Sequence, residues 1–83
     1  MGRNIHSRER DVLVDLLRQV REEAGLRQVD VAERLEVHQS FISRFESGER
    51  GIDLVELRRM VQALGMTLPA FVDRYEAELA RTG

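Results

Sequence analysis

Cysteine is missing from these 83 residues, which excludes disulfides, thiolate metal sites and cysteine nucleophiles, and nothing points to an oxidising compartment. Lysine is missing as well: all 13 basic residues are arginine. Arginine suits bidentate contacts with phosphate and guanine, although a genome-wide coding bias would give the same count. Proline occurs once, at Pro69, and no low-complexity linker interrupts the chain. No apolar run approaches the roughly 20 residues that a spanning helix needs, and the opening MGRNIHSRERD has no hydrophobic signal segment. A cytoplasmic, nucleoid-associated protein without membrane contact is the expectation. So short a chain makes one domain with a small core, stable only if its helices pack closely or a second chain contributes.

Fifteen acidic against 13 basic residues give a net charge of -2. Taken globally, that argues mildly against a nucleic-acid partner. Phosphates, however, sense the charge of the docking face within a Debye length of about 8 Å, so distribution matters more than the sum.

No stretch alternates with a period of two, and five helical segments account for the chain, so the fold class is all-α, a compact five-helix bundle. The first segment runs from about Ser7 to Ala24 with an apolar stripe of Val12, Leu13, Leu16, Leu17, Val20 and Ala24, and Gly25 ends it. The second, Gln28 to about Leu35, buries Val29, Val31, Ala32 and Leu35 and is too short to stand alone. The third covers about Gln39 to Ser47 and stops at Gly48. Asp53 and Glu56 form a capping box for the fourth, whose stripe is Leu54, Leu57, Met60, Val61 and Leu64. Thr67 caps a fifth helix over about residues 68–81 that carries Leu68, Phe71, Val72, Tyr75 and Leu79, with Pro69 in its first turn. Residues 1–6 are expected to be a flexible N-terminus and 7–83 a single domain with no effector segment attached.

The third segment is unusual. Ile42 and Phe45 fall on one side, with Phe41 at its edge, while Gln39, Ser40, Ser43 and Arg44 gather on the other. A merely solvated face needs no such set of amide, hydroxyl and guanidinium groups. Gln pairs with adenine N6 and N7, Arg with guanine O6 and N7, and Ser with several base edges or a phosphate. The few residues between the second and third segments force a steep crossing, the geometry of a helix-turn-helix over about residues 27–47.

The stretch REEAGLRQVDVAERLEVHQSFISRFESGERGIDLVELRRMVQALGMTL, Arg21 to Leu68, resembles the phage repressor and Cro-like (XRE-type) helix-turn-helix regulators. The resemblance rests on Gly25-Leu26, Gln28, Ala32, Leu35, Ile42-Ser43, Glu46 and Gly48, and helix order agrees from about Val12 to Val72. It implies a lambda-repressor-like domain that binds a double-stranded DNA operator as a homodimer and regulates transcription, with no enzymatic activity. Gln39, Ser40 and Arg44 match positions that face base edges, and Gln28 one that contacts phosphate. Ser43, Arg50 and the amides around Gly48 look like further phosphate contacts, as do Arg27 and His38. These last two stand at N-cap positions where the family favours Ser or Thr, and Glu49 brings a negative charge into the same region. Arg21 and Glu46 match an ion pair between the first and third helices, the alternative being two unrelated surface charges. Phe71, Val72, Tyr75 and Leu79 are expected at a dimer interface, with help from the end of the fourth helix.

His38 and His6 fall short of the three or four ligands of a zinc site, and Ser40, His38 and Asp30 lack the nucleophile elbow and cleft that hydrolysis requires. No catalytic residue, metal or cofactor is expected. Size alone does not separate a stand-alone repressor, a restriction-modification controller and an antitoxin, so a toxin or RNA polymerase stands as a further candidate partner. A protein-interaction module that kept the fold without binding DNA is the rival from another class.

Overall fold

The computed structural model describes residues 7–82, which form five α-helices: α1 Arg8–Glu23, α2 Gln28–Leu35, α3 Gln39–Glu46, α4 Leu54–Ala63 and α5 Leu68–Thr82. The expected flexible segment 1–6, and His6 within it, lies outside the described residues. Each boundary has a local cause. Ser7 Oγ accepts the Arg10 N–H at 3.1 Å to start α1, and Gly25 at φ +72° ends it, a conformation that a Cβ disfavours. At α4, Asp53 accepts from the Glu56 N–H at 2.7 Å while Glu56 accepts from the Asp53 N–H at 3.1 Å, a reciprocal capping box. Thr67 Oγ1 accepts the Ala70 N–H at 3.2 Å at the start of α5.

One core is shared by all five helices: Val14, Leu16, Leu17 and Val20 of α1, Val31 and Ala32 of α2, Ile42 and Phe45 of α3, Met60 and Val61 of α4 with Leu64 behind it, and Phe71 of α5. The two short helices lean on their neighbours, α2 packing on α3 and α4, and α1 packing on α3 and α5. The turn between α2 and α3 passes through Glu36, which holds a left-handed φ of 57° without being glycine. Among the described residues no helix is long and apolar enough to cross a membrane.

Three expectations about this core are corrected. Val14 is buried and Ala24 exposed, because α3 and α5 flank α1 and widen its buried arc beyond the single stripe. Leu54, placed in the buried stripe of α4, is 67% exposed, and Val55 beside it is 61% exposed. Phe71, assigned to a dimer interface, is only 1% exposed, its ring filling the monomer's own core and leaving no surface for a second chain. Its former companions on α5 divide. Val72 is 40% exposed, Leu79 is half-buried, and Tyr75 is half-buried with its hydroxyl donating to the Glu9 carbonyl at 2.9 Å.

Candidate nucleic-acid interface

Helix α3 is fixed from beneath and left open above. Ile42 and Phe45, each 1% exposed, hold it to the core, while Gln39 and Arg44 are exposed and Ser40 and Ser43 half-buried. Phe41, at the edge of the two faces, packs against the core with the Arg50 guanidinium 4.1 Å above its ring centroid.

A buried carboxylate organises the polar side. Glu46, 7% exposed, accepts from Arg21 Nε at 2.6 Å and Arg21 Nη2 at 3.0 Å, a bidentate pair from α1 to α3. The hydrogen bond to Glu46 raises the Arg21 pKa further. Arg21 Nη1 also donates to the Leu26 carbonyl at 2.8 Å, which ties the α1–α2 turn to the same centre.

Glu46 then sets an orientation further out. Gln28 Nε2 donates to Glu46 Oε1 at 3.0 Å, and a carboxylate can only accept, so the amide nitrogen of Gln28 faces inward and its oxygen outward. That oxygen receives a long hydrogen bond, 3.5 Å, from Gln39 Nε2. The second hydrogen on Gln39 Nε2 and its Oε1 remain for a donor-acceptor pair such as adenine N7 and N6. One chain of polar contacts thus runs from Arg21 in α1 to Gln39 at the opening of α3.

His38 caps α3 through its ring, Nδ1 accepting the Ser40 N–H at 3.1 Å, while Nδ1 lies 3.0 Å from Ser40 Oγ. The cap of α2 is different, because arginine has no acceptor. Asp30 takes the role, its Oδ2 accepting the Arg27 N–H at 2.8 Å while the Arg27 guanidinium grips the same carboxylate at 2.9 and 3.1 Å. These bonds from Arg27 pull the Asp30 pKa down to about 2. A depressed folded pKa gives stability that is present above the ordinary carboxylate range and lost as pH falls toward 2. Protection of the Arg27 amide, its exchange rate referred to the intrinsic rate at each pH, is therefore expected to fall between about pH 4 and pH 2, and in an Asp30→Asn variant to lose that acid-side dependence.

Not every expected contact finds free groups. The Gly48, Glu49 and Arg50 amides donate to carbonyls of Phe45 and Arg44 at 3.0, 2.8 and 3.3 Å, closing the end of α3, so the exposed N–H groups expected around Gly48 are already spent. Arg50, stacked on Phe41 and 3.4 Å from Glu56 Oε2, is half-buried rather than extended toward solvent. The Arg44 guanidinium is exposed and makes no hydrogen bond or ion pair to the described residues. Among the described residues no group of three metal-ligating side chains comes together.

A family model described as a helix-turn-helix domain matches residues 12–75. An XRE-family like protein from Pseudomonas syringae pv. tomato str. DC3000 is 35% identical, with a TM-score of 0.82 over 89% of this chain and 90% of that one. The chain belongs to the XRE-type helix-turn-helix family. The wild-type restriction-modification controller protein C.Esp1396I shares its fold, with a TM-score of 0.84 and 20% identity over 92% of this chain and 99% of that one. The same controller protein as a tetramer in complex with its natural 35 base-pair operator matches with a TM-score of 0.83 and 20% identity, over 90% of this chain and 99% of that one. No curated protein sequence matches.

Within this XRE-type chain, two arginines escaped the sequence reading. Arg10 Nη2 donates to the carbonyls of Gly48 and Arg50 at 3.1 and 2.8 Å, pinning the segment after α3 to α1. Arg18 Nη2 donates to the Glu46 carbonyl at 2.6 Å. Both sit on the α1 arc beside the buried Val14, and their acceptors are main-chain carbonyls that no local sequence signal marks.

Proposed function

We propose that this protein is a sequence-specific double-stranded DNA-binding regulator of transcription, acting by binding rather than catalysis, as a homodimer on a near-palindromic operator. The observation that carries the reading is the outer face of α3, where Gln39 is pre-oriented through Gln28 and Glu46 and Arg44 stands unengaged on a helix that the core holds rigid. Gln39, Ser40 and Arg44 read bases. Gln28, His38 and Ser43 anchor phosphates, while Arg27 contributes less because Asp30 neutralises it. Two copies are needed because one recognition helix reads too few base pairs, and a two-fold pair sets the helices roughly 34 Å apart, one DNA turn. The faces we assign to the partner copy are Leu54 and Val55 at the start of α4, with Val72 of α5. Bound there, the dimer occludes or recruits polymerase, and an adjacent toxin gene would mark the antitoxin variant of the same role.

Arg44→Ala is expected to cost about 1–3 kcal/mol on the preferred site and to relax one base position, whereas Gln28→Ala weakens all sequences alike. Gel-shift titration against a substituted operator series decides between them. Unchanged base preference in Arg44→Ala removes that residue from readout. The interaction-module alternative, which Glu49 and the neutralised Arg27 favour, predicts no sequence preference in either variant.

A further inference from the structure

Ser40 has a hydroxyl that could in principle either donate to a base or accept from one. His38 decides which. The Ser40 backbone N–H is a fixed donor and points at His38 Nδ1, 3.1 Å away, so this nitrogen carries no hydrogen and the ring hydrogen sits on Nε2. Ser40 Oγ lies 3.0 Å from the same bare nitrogen. Two lone pairs facing each other at that distance repel, so the hydroxyl hydrogen lies between them and Ser40 donates to His38. Its single donor is thereby consumed, and only acceptor capacity is left to face outward.

We infer that His38 is a positioning residue that fixes Ser40 as a hydrogen-bond acceptor, so that α3 favours a base offering an exocyclic amino group at the position facing Ser40. The inference rests on the DNA-reading role proposed above. In the major groove the amino donors are adenine N6 and cytosine N4, whereas guanine N7 and O6 and thymine O4 are acceptors. Ser43, one turn further along, has no such partner among the described residues and keeps both options. An unconstrained serine would take either class, and so carries little information by itself. The histidine turns it into a discriminating contact.

Two measurements test this. Long-range proton-nitrogen correlation spectroscopy of the free protein is expected to show His38 with hydrogen on Nε2 and none on Nδ1 at neutral pH; the opposite tautomer would overturn the inference whatever the DNA results. Selection from a randomised duplex pool is then run with wild type, Ser40→Ala, His38→Ala and His38→Asn, each checked for helical content. The position whose preference Ser40→Ala abolishes is the one facing Ser40. There the wild type is expected to show a bias of about fivefold for the amino group itself, the scale of one hydrogen bond, read by replacing the adenine with purine or the cytosine with 2-pyrimidinone in the selected duplex. His38→Ala removes that bias, and His38→Asn, whose Oδ1 can accept both the N–H and the hydroxyl, restores it. A bias unchanged in His38→Ala, a wild type indifferent to removal of that amino group, or no position sensitive to Ser40→Ala sinks the inference while leaving DNA binding intact. Absence of any enriched sequence for the wild type removes the DNA-reading role itself, and this inference with it.

Discussion

Replacing Glu46 with alanine is expected to lower the melting temperature by more than about 12 °C. The carboxylate is 7% exposed and receives both Arg21 donors and the Gln28 amide, while the Arg21 side chain is itself 13% exposed. Removing it strands a guanidinium that burial has cut off from most of its water, which costs about 3–5 kcal/mol when one partner of a buried pair is deleted. At this chain length each kcal/mol shifts the transition by about 4–8 °C. An exposed pair would be worth only about 0.2–1 kcal/mol and would hardly move the curve. Thermal unfolding followed by circular dichroism gives the shift, and a double-mutant cycle with Arg21→Met isolates the coupling. A fall of less than about 4 °C would return both residues to the status of surface charges.

The double variant Leu54→Glu, Val55→Glu is expected to be monomeric and to bind the operator at least about 100-fold more weakly. Specific DNA affinities of about 10⁻⁸ M or better depend on contacts that one short helix cannot supply, and non-specific binding lies at about 10⁻⁴–10⁻⁶ M. Two adjacent apolar side chains, 67% and 61% exposed at the start of α4, are surface that a second copy can cover, and they fold into nothing within the monomer. Leu79→Glu is the contrasting change. Leu79 is half-buried, and its carbonyl accepts from Arg8, which ties this turn of α5 to α1. Sedimentation equilibrium on all three proteins separates the two faces: dissociation by Leu79→Glu alone would put the interface on the C-terminal half of α5 instead.

How far the sequence was legible depended on whether a signal was local. Caps and stops were, because Asp53 with Glu56, Thr67 and Gly25 act within one helical turn and need no neighbour to be recognised. The polar face of α3 was legible for a related reason: Ile42 and Phe45 announce the buried side, so the remaining positions must be outside. Side chains whose fate depends on a second element were not. Leu54 fits the period of α4, yet it stays 67% exposed while Leu57 of the same turn packs against the core, and Phe71 looked available until α5 was laid across the core. Arg10 and Arg18 drew no reading from the sequence because their acceptors are main-chain carbonyls at and beyond the end of α3, groups that carry no sequence signature. The amides at residues 48–50 show the reverse error: a glycine-containing stretch suggests open N–H groups, whereas the end of α3 takes all three.

That the outer face of α3 reads DNA in pairs is open to direct measurement. Selection from a randomised duplex pool with the full chain, followed by the same selection with Gln39→Ala, Arg44→Ala, tests it most directly. A two-fold symmetric sequence is expected, its half-sites centred about 10 base pairs apart, with a guanine preference and an adenine preference in each half that the double variant loses. A wild-type pool that stays random, or an enriched sequence that the variant recovers unchanged, would contradict it.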